Sequence, residues 1–288
     1  MRVFVTGASG FIGTAIVREL IEAGHDVLGL ARSDAAARAV TAAGAEVHRG
    51  ALEDLESLRR GAAASDAVIH TAFVHDFSKY AESCETDRVA IEALGGALVG
   101  SGRPLIVSTG VLGVATEDES PSSALPRKSE EAAFAMIAKG VRAMVVRLPP
   151  SVHGDGDHGF LPMLIRAARE NGFAPYVDEG QNRWSAVHRL DAARLYRLAL
   201  EKGEAGARFH GVAERGVPLE EIAETIGRRL RVPTASKSRE EAAALLGFIG
   251  HVLAMGAEAS SARTQEILGW RPTEPGLIAD LEDGRYFD

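Results

Sequence analysis

Three glycines near the start carry the clearest chemical signal in the chain. Gly7, Gly10 and Gly13 stand three apart in Thr6-Gly7-Ala-Ser9-Gly10-Phe11-Ile12-Gly13. Before them lies the β-branched and aromatic run Val3-Phe4-Val5; after them Ile12, Ala15, Ile16 and Leu20 recur at helical spacing. The pattern predicts a buried strand, a tight turn and an amphipathic helix. Gly7 permits the turn, Gly10 lets backbone approach a pyrophosphate without a Cβ in the way, and Gly13 lets helix pack closely on strand. Phosphates then sit on the N–H groups at the positive end of the helix. Gly7, Ser9, Gly10, Phe11, Ile12 and Gly13 are therefore the candidate binding residues for a dinucleotide. An acidic residue after the second strand would hold the adenosine ribose, whereas an arginine accommodates a 2′-phosphate. The chain has Ala31-Arg32-Ser33 there, and a guanidinium fork suits phosphate. Arg32 makes NADP the expected cofactor, with NAD second.

A second grouping, His153-Gly-Asp-Gly-Asp-His158, places imidazoles and carboxylates close together. All of them would come from one flexible glycine turn, so it is assigned to the mouth of a substrate pocket and no metal is expected. Cys84 has no partner base in the sequence and is assigned to a helix. His70 closes a strand and is assigned to packing.

The elements that must position these groups alternate. Asp26 to Ala31, Glu46 to Arg49, Ala67 to Thr71, Leu105 to Ser108 and Met144 to Leu148 read as further strands. Helical stretches separate them, the longest from about Lys79 to Val99. Such alternation predicts an α/β fold, a Rossmann-type doubly wound parallel sheet with helices on both faces. Past Pro149 the rhythm loosens into short elements. This divides the chain into a dinucleotide-binding core over 1–150 and a mixed region over 151–288, a smaller C-terminal substrate-binding lobe with segments returning to the core.

The bulk properties bound the rest. With 288 residues, 46% of them hydrophobic, the chain can bury a large core, and no apolar run spans a membrane. The N-terminus enters a strand directly, without a signal peptide, and one cysteine suits a reducing compartment, so a cytoplasmic location is expected. A net charge of −8 argues against nucleic acid as the partner; a small-molecule substrate is expected instead.

The glycine spacing with Thr6 resembles the short-chain dehydrogenase/reductase superfamily, and later segments resemble its extended, epimerase/dehydratase-like branch over nearly the whole chain. Val68-Ile-His-Thr-Ala72 is similar to the fourth-strand motif whose small residues line the cofactor. Arg147-Leu-Pro149-Pro-Ser-Val-His-Gly154 is similar to the segment used against the nicotinamide. Trp184-Ser-Ala-Val-His-Arg-Leu-Asp191 and Leu268-Gly-Trp-Arg-Pro272 are similar to two further signatures. The resemblance implies cofactor contacts at Ala72 and Pro149, and a dimer through the long fourth helix, where Ile91, Leu94 and Leu98 share an apolar stripe. That stripe has its own sheet as an alternative partner.

The same resemblance implies a hydroxyl after the fifth strand, at Ser108 or Thr109, orienting a substrate carbonyl. It also implies a Tyr-x-x-x-Lys pair on the next helix, and here the chain departs. Aligned on Glu130, the Tyr position falls on Ser122 and the Lys position on Pro126, and no tyrosine lies between Tyr80 and Tyr176. Lys128 and Arg127 are the substitutes for the lysine; neither replaces a phenol. His153 and His188 are the candidate proton donors, since an imidazole titrates near neutral pH, with loop-holding roles as the alternative. The expectation is an NADP-dependent oxidoreductase moving a hydride to or from a small carbonyl or alcohol, with Ser108, Thr109 and His153 at the reacting carbon. A non-catalytic NADP-binding redox sensor and a nucleotide-sugar epimerase or dehydratase are the alternatives.

Overall fold

The computed structural model describes residues 1–122, 124 and 126–288. Five βα repeats and a sixth strand open the chain: β1 (Arg2–Thr6), α1 (Phe11–Glu22), β2 (Asp26–Ala31), α2 (Asp34–Ala42), β3 (Glu46–Arg49), α3 (Leu55–Ala63), β4 (Ala67–His70), α4 (Tyr80–Gly96), β5 (Pro104–Gly110), α5 (Ser129–Ala135) and β6 (Arg142–Leu148). They continue through β7 (Ser151–His153), α6 (Phe160–Asn171), β8 (Ala174–Val177), β9 (Arg183–His188), α7 (Arg189–Lys202) and β10 (Arg208–His210). The last third holds β11 (Glu214–Pro218), α8 (Leu219–Leu230), β12 (Thr234–Lys237), α9 (Arg239–Leu246), α10 (Phe248–Leu253), α11 (Ala262–Leu268) and α12 (Leu277–Asp283).

The central sheet has seven parallel strands in the order β10-β6-β5-β4-β1-β2-β3. Its inner strands are buried on both faces, which is why Val3-Phe4-Val5 is apolar without alternation. Val3, Val5, Ile69, Ile106 and Val146 pack with α1 and α7. Phe4, Val68, Leu105, Val107 and Val145 pack with α3, α4 and α5 on the other face. A Cβ at Gly61 would fall 2.4 Å from the Phe4 ring, so α3 approaches the sheet closely because that position has no side chain. The order reverses between β1 and β4, and the crevice beyond their carboxyl ends is where such sheets take ligands.

Ile91, Leu94 and Leu98, expected to offer a dimer stripe, are fully buried against this sheet in the single chain. The stripe thus faces its own sheet, the alternative partner given for it. Residues after 150 are divided between two places. α7 and β10 return to the central sheet, while β7, β9 and β11 form one small sheet and β8 and β12 another. A separate core of Leu161, Ile165, Trp184, Ile222 and Leu277 holds that lobe together. Among the described residues no helix is long and apolar enough to cross a membrane.

Candidate active site

The glycine loop is built for an anion. Gly7 has φ +72°, and a Cβ on it would lie 2.6 Å from Thr71 Oγ1 and 2.8 Å from Ala72 N. A Cβ on Gly13 would lie 2.0 Å from Gly7 O, so backbone meets backbone there. At Gly10 the only neighbour would be Gly7 O at 3.1 Å, leaving its outer side open. Gly10 is the N-cap of α1 and contributes no side-chain cap. The first-turn amides, which have no intrahelical acceptor, thus face the crevice beside the open Gly10, and Ser9 is exposed next to them. These features fit a dinucleotide pyrophosphate. Arg32 is exposed at the end of β2, just before Ser33, whose hydroxyl caps α2 by accepting from Ala36 N. The acid nearest to it in sequence, Asp34, is paired with Arg49 at 2.7 Å. Ala72 is half-buried at the crevice, whereas Pro149 is buried behind β6.

β1 and β4 are tied at their carboxyl ends by buried polar bonds. Thr71 Oγ1 donates to Thr6 O at 2.8 Å, and Thr6 Oγ1 lies 2.8 Å from His70 Nδ1. His70 Nε2 meets Asp87 Oδ1 at 3.0 Å, and Ser129 Oγ donates to Asp87 Oδ2 at 2.5 Å. Burial alone would push the Asp87 carboxyl up, but the His70 bond and charge, then Arg127 and Ser129, hold it below the usual carboxylate range. Arg127 completes the cluster. Its Nη2 donates to Ser108 O at 2.9 Å, its Nε donates to Ser129 Oγ at 3.0 Å and lies 4.0 Å from Asp87, and its guanidinium lies 4.5 Å above the Phe73 ring. Of the two candidate cations Arg127 therefore reaches the end of β5, while Lys128 pairs with Glu131 at 3.2 Å.

The two hydroxyls on β5 differ. Ser108 Oγ donates to His70 O at 2.8 Å and sits 2.6 Å from the hydroxyl of Tyr196, a fully buried residue of α7. The Ser108 hydroxyl, expected to orient a substrate carbonyl, thus spends its hydrogen on His70 O and also meets Tyr196 inside the fold. Thr109 Oγ1 accepts from Gly110 N at 2.5 Å, and the acceptor found for its hydrogen is Gly110 O at 3.5 Å; its hydrogen remains available to a substrate. Ser122 is exposed.

His153, the candidate proton donor, takes the loop-holding place that was its alternative. It is fully buried, its Nδ1 is 2.8 Å from Asp280 Oδ2, and its ring stands edge-on to His188 at 5.4 Å. It holds the C-terminal helix α12 to the small lobe. His188 accepts from Leu190 N and so caps α7; burial, then the neighbouring His153, push it below the usual histidine range. Gly154 and Gly156 turn the following loop in left-handed geometry, at φ +132° and +83°. Tyr286 bonds Gly154 N at 2.9 Å and Asp157 at 3.1 Å, and His158 reaches the edge of the Phe11 ring. The loop thus lies at the mouth of the crevice. Among the described residues no group of three His, Cys, Asp or Glu side chains could hold a metal.

The sequence reading missed Asp87 and Ser129, which meet His70 and Arg127 only in three dimensions. It also missed Phe73 and His75 on the loop after β4; burial, then the charges of Arg127 and His158, push His75 below the usual range. Arg147, in a segment expected near the nicotinamide, is a buried structural cation. It pairs bidentately with Glu130 at 2.5 and 2.9 Å and donates to Glu119 O at 2.8 Å, fixing the strand-to-helix connection that carries Arg127.

Comparison with known proteins bears on the family and the fold. Residues 3–92 match the NAD dependent epimerase/dehydratase family. An uncharacterised protein of Schizosaccharomyces pombe is 50% identical over 296 residues, covering 100% of both chains. The 4-hydroxy-2-methyl-3-oxo-4-farnesyl-3,4-dihydroquinoline-1-oxide ketoreductase of Stigmatella aurantiaca is 30% identical over 271 residues, 86% of this chain and 80% of that one. The fold matches a dTDP-glucose 4,6-dehydratase of Streptomyces venezuelae, crystallised with NAD and TYD, at TM-score 0.79 and 21% identity, covering 98% and 95% of the chains.

Proposed function

We propose an NADP-dependent carbonyl reductase, on the premise that the chain belongs to the NAD-dependent epimerase/dehydratase family of extended short-chain dehydrogenases/reductases. That family comprises NAD(P)-dependent epimerases, dehydratases and reductases, which makes an oxidoreductase-type enzyme the coarse assignment. The observation that carries the finer reading is the pairing, across one crevice, of an uncapped glycine-loop helix with a cation, Arg127, at the end of β5. When bound, the reduced nicotinamide supplies the hydride. The first-turn amides of α1 hold the pyrophosphate, and Arg32 takes the 2′-phosphate at the head of α2.

Thr109 donates its hydroxyl hydrogen to the substrate carbonyl oxygen. Arg127, fixed by Ser108 O, Ser129 and the Phe73 face, stabilises the negative charge that develops on that oxygen. A preorganised donor of this kind contributes about 2.7–4 kcal/mol to the transition state. With no phenol at the matched position, the alkoxide takes its proton from solvent. Asp87 and His70 act through Arg127: the carboxylate sets its charge environment and the imidazole holds the carboxylate. The relative from Stigmatella, named a ketoreductase, supports reduction. An epimerase is less well supported, since it needs a base at the phenol's place.

A cofactor-binding redox sensor is the second reading, favoured by the engagement of Ser108 with His70 and Tyr196. Consumption of NADPH against a panel of aldehydes, ketones and oxo acids separates the two. The reductase reading expects nicotinamide absorbance to fall with at least one carbonyl class. Tight binding of NADPH with no consumption across the panel leaves the sensor.

A further inference from the structure

Arg189, the first residue of α7, has no role in the chemistry above. α7 packs along α1, and both helices begin near the mouth of the crevice. The Arg189 guanidinium lies 5.2 Å from the centroid of the Phe11 ring, whose edge meets His158. On its other side is the glycine turn: a Cβ at Gly154 would be 3.2 Å from Arg189 Cγ, and one at Gly156 would be 3.8 Å from Nη1. The side chain is thus wedged between the residue that follows Gly10 and the mouth loop.

Its charge is unmet. Among the described residues Arg189 has no ion-pair partner, and its Nε is buried with no hydrogen-bond partner. Of the carboxylates in the neighbouring elements, Asp155 in the same turn forms no ion pair with it, and four others are engaged elsewhere. Asp191 binds Arg194 and the amides of Thr273 and Glu274; Glu274 pairs with Arg194; Asp157 accepts from Gly159 N and Tyr286; Asp280 meets His153. A buried guanidinium nitrogen without an acceptor is costly, and such groups are satisfied in nearly every native fold. The N-terminus of α1 beside it carries positive potential and open amides. An acceptor completing this place must be anionic and shaped for a planar fork.

We propose that Arg189, with Phe11 as its platform, forms a subsite for a phosphate or carboxylate group of a bound small molecule. Two sources share that chemistry: the pyrophosphate of the dinucleotide, which rests on the cofactor reading above, and an anionic group on the substrate. His158 and the glycine turn close over the same position. The turn is pinned by Tyr286, so the subsite is preformed.

Titration calorimetry on unmodified protein, Arg189→Gln and Arg189→Lys tests this, using NADPH, NADH, adenosine 2′,5′-bisphosphate, inorganic pyrophosphate and, with NADPH saturating, acetoacetate and its methyl ester. If the pyrophosphate is the anion, Arg189→Gln weakens NADPH and NADH equally, by about tenfold to a hundredfold, and weakens inorganic pyrophosphate. Adenosine 2′,5′-bisphosphate, which lacks the bridge, is then unchanged, and Arg189→Lys keeps part of the affinity. If the substrate supplies the anion, NADPH binding is intact and acetoacetate alone is weakened, its ester not. Unchanged affinity for every probe in a folded Arg189→Gln protein overturns the subsite. Failure of the unmodified protein to bind either dinucleotide sinks the cofactor reading instead, and inorganic pyrophosphate then decides the role of Arg189 by itself.

Discussion

The glycine loop after β1 and the hydroxyl-bearing end of β5 lie at the same edge of one sheet, yet they are built in opposite ways. In the glycine loop, side chains are absent where space is needed: Gly13 meets Gly7 O, Gly10 is open, and α1 has no cap. The end of β5 is crowded by side chains from distant elements. Tyr196 comes from α7 to Ser108, and Arg127, Asp87 and His70 form a buried charged cluster beneath Phe73. In the proposed function the first region recognises phosphate through backbone, which leaves little room for substitution. The second, in the same proposal, performs its chemistry with side chains, so one group can be exchanged for another while the strand stays in place. A phenol and lysine can therefore be lost, and a guanidinium gained, without disturbing the loop 100 residues earlier.

The strongest way to break the comparison is Gly13→Ala. Its methyl would overlap Gly7 O, a backbone atom that cannot move aside. NADPH binding should be lost and the protein destabilised by about 1–3 kcal/mol, the scale of overpacking; thermal unfolding and calorimetry read both. An alanine variant that binds normally would mean that the close packing of loop and helix is not what shapes the phosphate site.

The two β5 hydroxyls should next separate from one another. Thr109→Ala should lower turnover by about 2.7–4 kcal/mol of transition-state stabilisation with NADPH affinity kept. Ser108→Ala should instead lower stability by about 1–3 kcal/mol, because it leaves the buried Tyr196 hydroxyl without its partner. Steady-state kinetics beside urea unfolding would show the reverse pattern if Ser108 were the hydroxyl that touches substrate.

Arg32→Ala gives a smaller effect that sharpens the phosphate side. NADPH should weaken by about 1.5–3 kcal/mol, the worth of a hydrogen bond to a charged group, and NADH should be little changed. Equal affinity of the unmodified protein for the two cofactors would remove Arg32 as the discriminating residue.

The same contrast explains what could be read from the sequence. Strand-and-helix alternation and the glycine spacing are local, and β2 runs from Asp26 to Ala31 as its residues predict. Where local pattern ran too far, a local cause is visible. The helical stretch between β5 and β6 ends at Ala135 and tightens into a 3₁₀ turn closed by Gly140 in left-handed geometry. The catalytic side depends on pairs far apart in sequence: Ser108 with Tyr196, His70 with Asp87, His153 with Asp280. No spacing rule connects such residues. Hence Ser108 and His153 look like free functional groups in the sequence and are engaged in the fold.

Arg127 is the residue on which the contrast turns, and single-turnover hydride transfer is the measurement closest to it. Protein saturated with NADPH is mixed with a carbonyl substrate found in the panel, and nicotinamide absorbance is followed for the unmodified chain and for Arg127→Met. Met keeps an unbranched apolar stem against Phe73 and removes the charge. The account predicts rapid loss of absorbance in the unmodified protein, and a rate lowered by roughly a hundredfold to a thousandfold in the variant, with NADPH affinity nearly unchanged. Equal rates in the two proteins would contradict it, because the end of β5 would then need no positive charge to perform the reduction.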